Sequence, residues 1–165
     1  MLNKLMNLIN GLEERDFNNG LTKNDINDLG FILIRNSFLL SCYGMAITGA
    51  FMANKEIVGK ANIPMIIVDE TFYELSDNCK AFIIAHELGH FISSQPQTEG
   101  YVRKIDDEFE ADEHGAKLVG KQSAVFALEE IEDKLIDLYG DLCQASIDEL
   151  EIRINKLLGK EITTC

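Results

Sequence analysis

Apolar residues recur at helical spacing at the start of the chain, give way to short β-branched runs, and return to helical spacing over the second half. Leu2, Leu5, Leu8, Ile9 and Leu12 make one stripe and predict an amphipathic helix. Thr22 to Asp28 predicts a second, short helix stopped at Gly30. From Phe31 to Val68 the chain is rich in β-branched and aromatic residues. The runs FILIRNSFLLSCY, GMAITGAFMA and EIVGK predict strands, with a turn near Asn54-Lys55, although 31–43 suits a helix equally well. Ile63 to Asp69 predicts a short strand that begins at Pro64, a residue that favours strand starts and sheet edges.

After Asp69 the pattern is helical. Ser76 is placed to cap one helix, and the loop SSQPQTEG ends it. Three more helices are expected over Val102–Val119, Ser123–Leu138 and Ala145–Leu158. The last two carry apolar residues at Leu128, Ile131, Leu135 and at Ile147, Leu150, Ile154, Leu157. A sheet followed by helices is the order of an α+β domain. With no repeat or linker, residues 1–165 read as a single domain.

Charge narrows the partners. A formal net charge of −13 argues against nucleic acid and against an anionic membrane, and is compatible with cationic or unfolded peptides. No apolar stretch has the length of a bilayer span, and the N-terminus lacks the features of a signal peptide. Cys42, Cys79, Cys143 and Cys165 form no CxxC pair. Scattered thiols of this kind fit a reducing cytoplasm, with buried free thiols expected at the first three.

The chemistry starts at His86-Glu87-Leu88-Gly89-His90, an HExxH sequence. Positions i and i+4 of a helix share a face, so both imidazoles can grip one Zn²⁺ while Glu87 takes a proton from a metal-bound water. On the same wheel Ala81, Ile84, Ala85, Leu88 and Ile92 fall on the opposite side, towards a core. A second cluster follows in Glu108-Phe109-Glu110-Ala111-Asp112. There Ile105, Glu108, Ala111, Asp112, Gly115 and Val119 share one face. Asp106, Asp107, Glu110, Glu113, His114 and Lys117 share the other, which is entirely polar. A carboxylate on an inward face needs a partner. Zinc is such a partner for Glu108, and an imidazole N–H, that of His86, for Asp112. Ala111 and Gly115 would let the two helices approach closely. Glu110 and His114 have the right side-chain types but the outward phase.

HELGH followed by EFEAD resembles the HExxH…ExxxD pattern of the gluzincin metallopeptidases, in style the HtpX/CAAX-prenyl-protease and ImmA/IrrE-like groups, and in size the minigluzincins. The resemblance extends through PMIIVDETFYELSDNCKAFIIAHELGHF and IDELEIRINKLL, about residues 60–158. It implies a zincin-like (thermolysin-like) minimal catalytic domain, with a small sheet packed on an active-site helix and C-terminal helices. It implies His86, His90 and Glu108 as zinc ligands, Glu87 as general base and Asp112 as the carboxylate behind a ligand. The metzincin continuation is absent, since Ser93 and Pro96 stand where its Gly and third His would be. No histidine follows His114, so the group stabilising an oxyanion is open among Tyr101, Tyr139 and Arg153.

The expected function is zinc-dependent endopeptidase activity on peptide or unfolded-protein substrates, through a metal-activated water with Glu87 as base. An extended peptide is expected along Met65, Ile66, Ile67 and Val68, adding itself to a sheet edge. The alternative is a zinc-binding regulatory or sensor protein that keeps the peptidase scaffold.

Overall fold

The structure, a computed structural model, describes residues 1–11, 27–35, 50–57, 61–68, 71–92 and 104–160. Most of the helix predicted over Thr22–Asp28 lies outside the described residues. So do the later part of the 31–43 run, the loop 93–100, Tyr101, Cys42 and Cys165. The chain divides into two compact units, Met1–Glu74 and Leu75–Cys165.

The first unit begins with helix α1 (Leu2–Asn10), whose stripe buries Leu5 and Ile9. Asn27 opens a tight turn: its side-chain Oδ1 accepts from the Leu29 N–H at 2.8 Å, and its carbonyl from Gly30 at 2.9 Å. Gly30 has φ +89°, which costs a residue without Cβ little. Strands β1 (Ile32–Arg35), β2 (Ala50–Ile57) and β3 (Ala61–Val68) form a sheet of order β1-β3-β2. β1 runs parallel to β3 with Ile32 opposite Met65, and β2 runs antiparallel with Ala50 opposite Val68. Ile32, Leu33 and Ile34 are all buried, as are Ile66, Ile67 and Val68. Such runs without alternation belong to strands covered on both faces. A 3₁₀ turn, Thr71–Glu74, buries Phe72.

Three expectations are corrected here. Asn54-Lys55 is not at a turn but inside β2, opposite Pro64 and Ile63. Neither residue demands a positive φ, so an eight-residue ladder runs through them. The strand containing Pro64 starts at Ala61 and is central. The proline is tolerated because β1 begins at Ile32, opposite Met65, leaving β3 a neighbour on one side alone at Pro64. Finally, Met65, Ile66, Ile67 and Val68 have β1 on one side and β2 on the other. They offer no open edge to an added peptide strand.

The second unit is helical: α2 (Asp77–Ile92), α3 (Ile105–Val119), α4 (Lys121–Tyr139), a 3₁₀ turn (Gly140–Cys143) and α5 (Gln144–Leu158). Ser76 caps α2, its Oγ accepting from the Cys79 N–H at 3.2 Å. Glu130 of α4 holds the cap, accepting from Ser76 N–H at 2.7 Å and Oγ–H at 2.5 Å. The core is built from Ala81, Phe82, Ile84, Leu128, Ile131, Leu135, Leu150, Ile154 and their neighbours. Cys79 and Cys143 are buried free thiols. Burial, with Glu130 nearby, pushes the Cys79 thiol far above its ordinary value, which keeps it inert. The architecture is mostly helical with a small mixed sheet, compatible with α+β. Among the described residues no helix is long and apolar enough to cross a membrane.

Candidate metal centre

α2 and α3 pack closely, and two glycines permit it. A Cβ on Gly89 would meet Ala111 Cα and His114 Cβ, each at 2.9 Å. A Cβ on Gly115 would meet the Phe82 ring at 2.6 Å. Real Cβ contacts are not this short, so both positions are closed to larger residues without the helices moving apart. Gly115 was legible from the helical wheel. Gly89 was not, although the small residue inside HELGH was the available signal.

Across this contact His86 and His90 of α2 meet Glu108 and Asp112 of α3. The Nε2 atoms of the two histidines lie 3.1 Å apart, their rings nearly perpendicular. Glu108 Oε2 is 3.2 Å from His86 Nε2, and its Oε1 is 3.6 Å from His90 Nε2. All three residues are shielded: His86 is 7% and His90 1% exposed, and the Glu108 side chain 13%.

A further layer stands behind them. Asp112 Oδ1 lies 2.8 Å from His86 Nδ1. An ionised carboxylate has no proton to give, so Nδ1–H donates and Nε2 is turned towards Glu108 and His90. Asp112 is in turn gripped by Arg153 of α5, whose Nε–H donates to Oδ2 at 2.8 Å and whose Nη2 donates to Oδ1 at 2.6 Å. Arg153 Nη1 also lies 3.4 Å from Glu108 Oε2. The bidentate fork fixes the carboxylate plane and with it the imidazole.

These contacts set the charges. Burial opposes a charged His86, but its hydrogen bonds to Asp112 and Glu108 outweigh burial and raise its pKa to about 9. Burial would raise Glu108, yet the hydrogen bond to His86 and the charges of His86 and Arg153 bring it down to about 2. Asp112 is likewise lowered, despite burial, chiefly by Arg153 and then by His86. Without an ion, His86 and Arg153 balance Glu108 and Asp112.

The donors fit a small divalent cation. One ligand atom from each of His86, His90 and Glu108 lies within 4.8 Å of the others. Zn–N distances of 2.0–2.1 Å in a tetrahedron put neighbouring donors about 3.3 Å apart. The separations of 3.1, 3.2 and 3.6 Å lie on either side of that value. Two imidazoles and one carboxylate suit zinc, and His86 already has the hydrogen-bonded back face that metal-ligating histidines use.

Glu87 follows His86 on α2 and is 5% exposed. The polar edge of α2 is thus as buried as its apolar side, and Ile92, expected inward, is 65% exposed at the helix end. Ile105, also expected inward, is exposed for the same reason at the start of α3. Of the oxyanion candidates, Arg153 joins the cluster and Tyr139 lies exposed at the end of α4. Comparison with family models, curated proteins and solved structures found no match.

Proposed function

We propose that this chain is a zinc-dependent peptidase of the gluzincin type with a zincin-like catalytic unit. The observation that supports it most is the convergence of His86, His90 and Glu108 donors beside a buried Glu87 on the same helix. In this reading His86, His90 and Glu108 would hold the ion. Bound there, zinc supplies a Lewis acid that polarises a carbonyl and lowers the pKa of water towards ~7.

The chain's own residues do the remaining work. Glu87 accepts the proton of the attacking water and delivers it to the departing amine nitrogen. Asp112 keeps the His86 proton on Nδ1, and Arg153 keeps Asp112 ionised and oriented. The acidic balance of the chain favours cationic or unfolded peptide segments as substrates.

The test is Glu87→Gln, which preserves shape but cannot accept a proton. Zinc should stay near one equivalent per chain, and cleavage of a denatured polypeptide should fall by about 10²–10⁴-fold. Activity within a few-fold of the parent would remove Glu87 as the base. A parent that holds zinc yet cleaves nothing would point to the regulatory alternative, and a chain that takes up no metal would end both readings.

A further inference from the structure

A second concavity lies on the other side of the Asp112–Arg153 pair, between α3 and α5 at the start of α4. It encloses about 400 Å³ and is lined by Lys117, Lys121, Arg153 and Lys156. The chain has 15 lysines and arginines against 28 carboxylates, so three lysines beside an Arg153 already paired with Asp112, Glu108 and Glu149 are a local reversal of its sign. Two carboxylates also face the cleft. Asp112 is already committed to Arg153 and His86, and Glu113 is exposed. Among the described residues Lys117 and Lys121 form no ion pair. The Lys156 ammonium lies 5.2 Å over the Phe109 ring rather than on a carboxylate.

Clustered like charges repel one another, and an anion placed among them relieves that repulsion. Lys121 is also the first residue of α4, whose N-terminus has no side-chain cap. The partial positive charge of that helix end adds to the lysines. The volume is of the size that holds small organic molecules. It exceeds what an inorganic ion fills, and Phe109, Ala116 and Leu157 supply an apolar wall.

We propose that this cleft binds a small organic anion, a phosphate monoester or a comparable dianion, with its charged end among Lys117, Lys121, Arg153 and Lys156 and its apolar part against Phe109 and Leu157. The site does not depend on the peptidase reading. It does touch the metal cluster, because Arg153 lines the cleft and grips Asp112.

The probe is phenyl phosphate, titrated calorimetrically at low ionic strength into the full chain as purified and again after dialysis against a chelator. Saturable binding with Kd of about 0.1–1 mM is expected in both samples. Phenol, which lacks the charge, should bind at least about tenfold more weakly. Lys117→Glu with Lys121→Glu should weaken phenyl phosphate at least about tenfold. The milder pair Lys117→Gln with Lys121→Gln should act in the same direction if the charge reversal disturbs folding. No saturation by about 10 mM would overturn the proposal. So would unchanged binding in both lysine variants. Binding that is lost in His90→Ala and indifferent to the lysines would place the probe at the histidine cluster, and would overturn it equally.

Discussion

Helix α3 carries two pairs of metal-competent residues at the same spacing, Glu108 with Asp112 and Glu110 with His114. The pairs are offset by two residues, which turns them about 200° around the helix. Glu108 and Asp112 meet His86, His90 and Arg153. Glu110 is exposed, and His114 is half-buried beside Gly89, away from the donors. Ligand-capable side chains are therefore poor guides by themselves. What separates a candidate ligand from a surface residue here is helical phase relative to α2.

The largest effect expected from this contrast is that of Glu108→Ala. Removing one of three donors should weaken zinc binding on the order of 10³-fold, about 4 kcal/mol, by competition with a chromophoric chelator. A greater loss from Glu110→Ala would reverse the assigned phase. Acidity sharpens the same point. In the metal-free chain the raised His86 stabilises the fold fully below about 6.5, and that stabilisation is lost as pH rises through about 9. The lowered Glu108 stabilises above about 4.5 and is lost as pH falls through about 2. The thermal midpoint of metal-free protein should therefore fall between pH 6.5 and 9. Over that interval zinc affinity should rise, because the ion displaces the His86 proton. Parallel trends in the two measurements would contradict the arrangement.

Asp112→Asn comes next. It removes the charge that faces both groups, leaving Arg153 to Glu108 and Glu149 and His86 to a neutral amide oxygen, and should reduce zinc affinity roughly 10- to 100-fold. Gly89→Ala tests the helix contact rather than the donors. The added methyl meets Ala111 backbone, so chemical denaturation should register a loss of about 1–3 kcal/mol. At the small end, Glu110→Ala should change stability by no more than about 0.5 kcal/mol and leave zinc binding as it was.

Periodicity alone located most of this. It placed the five described helices to within a few residues and set Glu108 and Asp112 on the inward face of α3. The sheet was harder. Strand order depends on pairings between distant segments, so nothing local to Pro64 announced that β3 is central. From the sequence Arg153 reads as an oxyanion candidate or a surface or packing residue, because its partner Asp112 lies 41 residues earlier. A signal was nevertheless present. Arg153 stands on the stripe of Leu150, Ile154 and Leu157, a charge on an apolar face, and the reasoning that selected Glu108 applies to it equally.

Arg153 also gives the centre an order of assembly. Chains emerge from the ribosome N-terminus first. His86, His90 and Glu108 are synthesised before the guanidinium that pairs with Glu108 and Asp112. Until Arg153 is made, the donors lack the positive charge that faces Glu108 and Asp112 in the finished chain. Helix α5 thus supplies a positive charge to a candidate site whose possible donors are all made earlier.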